Sequence, residues 1–342
     1  MSEANNRATP STHWAQLNES TSVLGMRILF WICRIFGRWP FRLGLYPVLL
    51  RHMLINPTAR KASQAYFEQI RASGGTVLRL AVLRHFAAFA ESLLDKMLLW
   101  GGLFKVSNVQ FYGTDPIDAR ISAGLGGVLV GSHFGNMELC RMLARKRSRV
   151  NITVLVHTKH AVLFNRLLAQ LDPTSRLNLM QVTEITPATA MLLGEKIAQG
   201  HFIVIAGDRV PVSGGRVAYA DFLGKPAAFP VGPYLLASIL HCPIYTLIPL
   251  HTSTGVDIHF ELLSENIARR EREAKVQQCV ELYAQRLASF CLRAPLQWFN
   301  FYDFWAPVTV ESVESSAPST TQNSAIINND KFSKVDKPHV SH

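Results

Sequence analysis

The sequence predicts an α/β domain whose central sheet is mostly parallel and flanked by helices. From Gly126 onward, short runs rich in Val and Ile alternate with stretches of helical periodicity, as in consecutive βαβ units. The chain has 342 residues, of which 48% are hydrophobic and 17% charged, a composition typical of proteins with a large core. We therefore expect one large domain with additions at its ends.

The predicted elements follow one another in a regular order. A helical pattern covers about 58–103. Strands are predicted at 126–131, 151–156, 177–182, 202–206, 243–250 and 257–262. Helices are predicted at 136–147, 161–171, 187–199, 230–241 and 265–291. In such sheets, reactive residues are expected where strands end and helices begin.

The segment 23–57 is predicted to be an amphipathic, membrane-associated helical anchor. It is dense in Leu, Ile, Phe and Trp, and four arginines interrupt it: Arg27, Arg34, Arg38 and Arg42. No apolar run therefore reaches the about 18 residues that a spanning helix needs. On a helix, which Pro40 should break or kink, these arginines share one sector, as in segments that lie in the headgroup layer of an anionic leaflet. The alternative is a core helix whose arginines reach solvent.

The remaining divisions follow from composition. Residues 1–22 form a polar segment without the features of a secretory signal, 58–306 form the main domain, and 307–342 form a disordered tail. Five cysteines without a C-x-x-C pair favour a reducing compartment. The net charge of +11 favours an anionic lipid surface or an acidic protein as partner. Nucleic acid is not expected, because no zinc-finger spacing, aromatic RNA-binding motif or basic zipper is present.

The loop after the first predicted strand carries the candidate chemistry. It contains His133 and, five residues later, Glu138. On a regular helix the two would lie about 140° apart, but they can meet if His133 lies in the turn and Glu138 in the first helical turns. A carboxylate bound to one imidazole nitrogen leaves the other free to take a proton from a hydroxyl. The alternative is a structural histidine in a strand–helix turn.

Four ordered blocks of sequence carry a resemblance to a known family. They are the S-H-F-G-N-M-E run at 132–138, the strand ending in an aspartate at 202–210, the F-x-G segment at 220–234 and the P-x-Q-W block at 295–302. Together they resemble the bacterial lipid A biosynthesis acyltransferases of the lysophospholipid acyltransferase superfamily. The resemblance covers about 13–305.

The resemblance implies a glycerolipid-acyltransferase-like fold and an activity. A fatty acyl chain would pass from an acyl thioester, usually on acyl carrier protein, to a hydroxyl of a membrane glycolipid such as a lipid A precursor, without cofactor or metal. His133 would be the base and Glu138 the orienting residue. The substrate-binding residues that it implies are Asp208, Arg209, Lys159, Asn136, Phe222 and Gly224. Lys159 stands near the place of a family arginine but lacks the bidentate fork of a guanidinium, and Asp208 could instead be a capped strand end.

Further predictions concern partners and location. A basic cluster on and after the helix predicted at 136–147 is a candidate docking site for acidic acyl carrier protein, or else a solvated helix end: Arg141, Arg145, Lys146, Arg147 and Arg149. Backbone N–H groups near Gly135 or the side chain of Arg209 could stabilise an oxyanion. The expected location is the cytoplasmic face of a bacterial inner membrane, as a peripheral or monotopic protein.

Three other functions remain open. The acceptor could be another lipid-linked product, such as an aryl-polyene type lipid. The protein could be a non-catalytic membrane lipid-binding protein. A hydrolase with a metal held by His133, Glu138 and Asp208 is least favoured, because the paired histidine spacing of such sites is missing.

Overall fold

A computed structural model describes most of the chain. The described residues are 31–100, 103, 108–138, 150–156, 177–181, 186–210 and 215–307. The described residues all belong to the first of two units of the chain, 1–308, and the predicted disordered tail at 307–342 lies outside them except for its first residue. The predicted polar segment 1–22 lies outside them as well.

Helices form the N-terminal part of the described chain. Residues 31–36 are helical, and α1 (Trp39–Ile55), α2 (Pro57–Ala72) and α3 (Ala81–Trp100) follow. The break before α1 falls at Gly37, which has a φ of +73°, and Pro40 lies in the first turn of α1, where its missing N–H is tolerated. The helical pattern predicted at 58–103 is thus two helices. None of the described helices combines the length and apolar character that crossing a membrane requires.

The described residues then form a seven-stranded sheet and a separate two-stranded hairpin. The sheet contains β1 (Val109–Tyr112), β2 (Gly127–Gly131), β3 (Asn151–Val156), β4 (Leu177–Gln181), β5 (His201–Ala206), β8 (Ile244–His251) and β9 (Val256–Ser264). Its order is β1-β9-β8-β2-β5-β3-β4, and every neighbouring pair is parallel except β8 and β9. The prediction of a mostly parallel sheet flanked by helices is confirmed.

The later helices agree with the sequence pattern to different degrees. They are α4 (Asp115–Ser122), α5 (Pro187–Ala198), α6 (Gly232–Ile239) and α7 (Arg272–Arg293). The helix predicted from residue 265 starts seven residues later, because the Ser238 hydroxyl donates to the carbonyl of Ile267 at 2.8 Å and accepts from Arg272, which holds the connection as a loop. The helices predicted at 136–147 and 161–171 fall almost entirely outside the described residues.

The hairpin of β6 (Val217–Phe222) and β7 (Lys225–Pro230) is absent from the predicted elements. Its two-residue turn, Leu223 and Gly224, has positive φ at both positions, 55° and 80°. That is the geometry of a type I′ turn, which Asn-Gly or Asp-Gly usually occupies. Because leucine holds the first position here, the usual sequence signal of a hairpin is missing.

The centre of the sheet is β2, whose five residues are all buried. α7 packs against the sheet and buries Cys279, Tyr283 and Leu287 completely. β2 therefore ends in the middle of the sheet edge, between the neighbouring strands β8 and β5.

Candidate active site

The candidate site lies where β2 and β5 end side by side. Gly131 and Ala206 are paired in the parallel register, and the N–H of Gly207 donates to the carbonyl of Gly131 at 2.9 Å. His133 and Asp208 each follow two residues after the paired strand ends. Because parallel strands present their carboxyl ends at one edge, the register alone brings these two side chains together.

His133 and Asp208 form a pair joined by two hydrogen bonds. The imidazole Nδ1 lies 2.8 Å from Oδ1 of Asp208, and the backbone N–H of His133 donates to Oδ2 at 2.6 Å. The Asp208 side chain is 1% exposed, whereas that of His133 is 35% exposed. The carboxylate thus holds the ring from inside the protein. No described residue forms a hydrogen bond with Nε2.

A segment after α7 holds this pair in place. The indole N–H of Trp298 donates to Oδ2 of Asp208 at 3.0 Å, and the Tyr302 hydroxyl donates to the Asp208 carbonyl at 3.3 Å. The N–H of Phe299 donates to the carbonyl of His133 at 2.8 Å. Both members of the pair are therefore fixed by the same short stretch of chain.

The turn after His133 requires a glycine. Gly135 has a φ of +62°, and a Cβ there would lie 2.2 Å from the carbonyl oxygen of Pro249 in β8. Its N–H donates to the carbonyl of Gln297 at 2.8 Å, and the Gln297 side chain exchanges two hydrogen bonds with the backbone of His251. The N–H of Gly135 itself is therefore engaged, and an oxyanion donor among the other backbone N–H groups near Gly135 stays a prediction.

The charges around the pair set its protonation. Burial lowers the pKa of His133, and Arg209 and Lys96 lower it further, while Asp208 opposes them. Burial raises the pKa of Asp208, but His133, its hydrogen bonds and Arg209 outweigh it, so that the pKa lies below its usual value. Near neutral pH the carboxylate is ionised and the ring neutral, with Nδ1–H donating to Asp208. Nε2 then carries the lone pair that a general base needs.

The carboxylate bound to His133 is not the one that the sequence pattern predicted. Asp208 occupies Nδ1, where the orienting role was expected of Glu138, because strand register brings Asp208 to the ring from the neighbouring strand. Glu138 lies in the turn after the site, and its backbone N–H donates to Oδ1 of Asn136 at 3.1 Å. The part of Glu138 in the reaction stays a prediction.

Three further predicted site residues have structural places. Asn136 is fully buried and closes the turn, and Gly224 lies in the hairpin turn. The Phe222 ring has no exposed surface and packs edge-on against Trp298, with ring centroids 5.1 Å apart. Asn136 and Phe222 are thus buried in the packing around the site, and their part in substrate binding stays a prediction.

The other predicted residues divide into two groups. Arg209 is half-buried, donates to the carbonyl of Phe299 at 3.1 Å and lies close enough to lower the pKa of His133. Lys159 and the whole basic cluster lie outside the described residues: Arg141, Arg145, Lys146, Arg147 and Arg149. Among the described residues, no group of three or more His, Cys, Asp or Glu side chains is arranged to hold a metal ion.

The sequence pattern assigned no role to the residues that hold Asp208. Trp298 and Tyr302 belong to the P-x-Q-W block, which marked the end of the domain without indicating what it contacts. The hydroxyl of Tyr283 on α7 donates to the carbonyl of Gly131 at 2.8 Å and so holds the end of β2 against α7. Only the P-x-Q-W block gave a signal that could have found any of these residues.

Comparison with known proteins gives the family. The sequence model described as Bacterial lipid A biosynthesis acyltransferase matches residues 104–306, more than half of the chain, which include both His133 and Asp208. Phosphatidylinositol mannoside acyltransferases of two Mycobacterium tuberculosis strains, H37Rv and CDC 1551, are each 29% identical over 131 residues, 36% of this chain. The match spans 39% of the length of each of these curated relatives. On the extent of the family match, the chain belongs to the bacterial lipid A biosynthesis acyltransferase family.

Proposed function

We propose that this protein transfers a fatty acyl chain from an acyl thioester on acyl carrier protein to a hydroxyl of a membrane glycolipid, such as a lipid A precursor. The observation that carries the proposal is the 2.8 Å hydrogen bond between Nδ1 of the partly exposed His133 and the buried Asp208 carboxylate. Membership of an acyltransferase family supports the type of reaction.

The pair suits general-base catalysis of acyl transfer. Nε2 of His133 takes the proton of the acceptor hydroxyl as the hydroxyl oxygen attacks the thioester carbonyl carbon. The new carbon–oxygen bond forms, the carbon–sulfur bond breaks, and Nε2 passes the proton of the acceptor hydroxyl on to the leaving thiolate. Asp208 stabilises the imidazolium between these two steps. A base of this kind contributes about 10²- to 10⁴-fold in rate.

Arg209 is the described side chain best placed to stabilise the oxyanion. Its positive charge acts on His133, and its hydrogen bond to the carbonyl of Phe299 fixes one end of the guanidinium. A fixed donor aimed at the charge that develops in the transition state is worth about 10²- to 10³-fold in rate. This assignment favours Arg209 over the backbone of Gly135, whose N–H is engaged by Gln297.

The N-terminal helices would carry the contact with the membrane. One face of α1 exposes Leu43, Leu50 and Leu54, each more than half exposed, opposite the face where Leu45 and Leu49 are buried. Exposed apolar patches of this kind mark interaction sites. We place the protein on the cytoplasmic face of a bacterial inner membrane, bound as a peripheral or monotopic protein.

The arginines of this segment do not all face lipid headgroups. Arg38 forms an ion pair with Asp95 at 2.7 Å, and Arg42 forms one with Glu91 at 2.6 Å, so both tie the N-terminal segment to α3. Of the predicted stripe of four arginines, Arg27 lies outside the described residues, and Arg38 and Arg42 are bound to α3. We therefore assign the larger share of the proposed membrane contact to the exposed apolar side chains.

The experiment is a transfer assay with the full chain. Acyl carrier protein with a labelled acyl chain is mixed with a lipid extract, and wild type is compared with His133→Ala and with His259→Ala as a matched histidine control on β9. We expect His133→Ala alone to lose transfer, with cooperative melting retained. Transfer that persists in His133→Ala would remove this residue from the mechanism.

The same assay separates the alternatives. Replacing acyl carrier protein with coenzyme A as carrier tests the donor, and mass spectrometry of lipids from cells with and without the protein identifies the acceptor. A different missing acylated lipid, such as an aryl-polyene type product, would change the acceptor but keep the mechanism. Lipid binding with no turnover from any thioester would favour a non-catalytic lipid-binding protein.

A further inference from the structure

A second histidine, His85 on α3, is buried behind the candidate site. It has no exposed surface. Its Nε2 lies 2.8 Å from the carbonyl oxygen of Trp298, and its Nδ1 lies 2.9 Å from the hydroxyl of Ser63 on α2. Because a carbonyl can only accept, Nε2 carries the hydrogen and donates to Trp298, and Nδ1 accepts from Ser63.

The surroundings of His85 keep it neutral. Four aromatic rings lie with their centroids 4.6 to 6.2 Å from the imidazole: Tyr66, Phe67, Phe299 and Phe301. Burial lowers the pKa of His85 to about 4, against a smaller opposite effect of the hydrogen bond to Trp298. Near neutral pH, where the transfer assay is run, the ring is therefore neutral and keeps one tautomer.

Trp298 connects His85 to the catalytic pair through two different parts of one residue. Its backbone carbonyl accepts from His85, while its indole N–H donates to Oδ2 of Asp208 at 3.0 Å. Asp208 in turn binds Nδ1 of His133 at 2.8 Å. Fixing the backbone of Trp298 fixes the starting point of its side chain, and so the direction from which the indole reaches Asp208.

We propose that His85 is a positioning residue of the acyltransferase site: its hydrogen bond to the Trp298 carbonyl sets the indole that holds Asp208 against His133. This inference rests on the proposed function. Catalytic groups must stay within about 0.5 Å of their productive geometry, and a displacement of about 1 Å can cost 10²-fold in rate. Hydrogen bonds that connect α2 and α3 to the His133–Asp208 pair through Trp298 could therefore change the rate measurably.

Two substitutions at the same position separate positioning from packing. In His85→Gln, the amide nitrogen reaches about as far as Nε2 and can still donate to Trp298. In His85→Asn, the shorter amide can accept from Ser63 but leaves the Trp298 carbonyl without its donor. We expect His85→Asn to lower kcat about tenfold with little change in KM, and His85→Gln to keep kcat within about threefold of wild type.

The titration of His133, followed by ¹⁵N nuclear magnetic resonance on the full chain, is the second measurement. The charged groups that act on His133 are Asp208, Arg209 and Lys96, and neither variant changes them. Asp208 raises the pKa of His133, so a loosened Asp208 should lower it. We expect a fall of about 0.5 to 1 pH unit in His85→Asn and none in His85→Gln.

The outcomes distinguish this inference from the function on which it rests. If both variants titrate at His133 as wild type does, or lose kcat equally, His85 only joins the helices to the domain and the proposal is overturned. If wild type transfers no acyl chain, the proposed function fails, while the titration still tests the positioning. If His85→Asn does not melt cooperatively, Ser63→Ala takes its place, with a smaller shift of the same sign expected and an unchanged titration contradicting the proposal.

Discussion

Two histidines in two regions of this protein show that burial, which keeps an imidazole neutral, does not by itself make it a candidate base. His133 at the edge of the sheet and His85 between the N-terminal helices both have a pKa lowered mainly by burial. Both nitrogens of His85 are engaged, by a hydroxyl and a carbonyl, whereas His133 binds a carboxylate on one side and is 35% exposed. A neutral imidazole can act as a base through a nitrogen whose lone pair is free, and a nearby negative charge stabilises the protonated form.

The largest expected effect comes from removing that negative charge. Asp208→Asn keeps the size of the side chain but not its charge, so the imidazolium formed during proton transfer loses its stabilisation and the ring can take the wrong tautomer. We expect kcat to fall about 10³- to 10⁴-fold, as happens when the carboxylate of a catalytic triad is changed in the same way. Initial rates of acyl transfer measure this.

Glu138→Gln in the same assay is the matched carboxylate control. Asp208 is the residue bound to Nδ1, so Glu138→Gln should lower kcat much less than Asp208→Asn. The reverse order of the two variants would return the orienting role to Glu138 and show that Asp208 only supports the loop.

The second prediction concerns stability at the other histidine. His85 has a pKa of about 4 in the folded protein and about 6.5 when unfolded, so the unfolded chain binds more protons between these values. Stability therefore falls as the pH falls from about 6.5 to about 4, and His85 accounts for about 3 kcal/mol of that loss. Urea unfolding at a series of pH values measures it.

His85→Gln isolates this contribution from the other groups. The pKa of Asp95 is raised to about 6 by burial and gives a slope of opposite sign, while other histidines with lowered pKa values add to the loss. All of these are unchanged in His85→Gln. The variant should lose less stability over this pH range than wild type, and equal slopes would show that His85 is readily protonated in the folded protein.

The sequence predicted local structure better than it predicted contacts between distant residues. The strand at 151–156 was placed at its observed bounds, since a β-branched run between polar residues reports its own conformation. The partner of His133 was not found, because Glu138 is its neighbour in sequence and Asp208 its neighbour through strand register 75 residues away. Trp298 was missed for the same reason, since local periodicity carries no information about contacts across the sheet.

The third prediction tests whether the indole hydrogen bond holds Asp208. Trp298→Phe keeps an aromatic ring but removes the donor to Oδ2, which weakens the stabilisation of the carboxylate and lets it move. We expect kcat to fall about tenfold, a smaller effect than removal of the charge itself. Steady-state transfer kinetics measure this.

Trp305→Phe controls for the loss of an indole. Trp305 also donates through Nε1, but to the carbonyl of Phe222 at 3.3 Å and not to the catalytic pair. Its substitution should leave kcat within about twofold of wild type. Equal losses in the two variants would mean that packing, and not the bond to Asp208, explains the effect.

The smallest expected effect separates the catalytic edge of the sheet from the apolar face of α1. Leu43→Ser combined with Leu50→Ser removes two exposed apolar side chains from one face of α1. Other apolar side chains of the segment stay exposed, so the effect should be small. We expect binding to anionic phospholipid vesicles to weaken about fivefold, with transfer to a detergent-dispersed acceptor unchanged. Met191→Ser combined with Leu192→Ser removes comparable exposed residues from α5 and should leave vesicle binding as in wild type. Equal weakening by both pairs would mean that general hydrophobicity, rather than the face of α1, brings the protein to the bilayer.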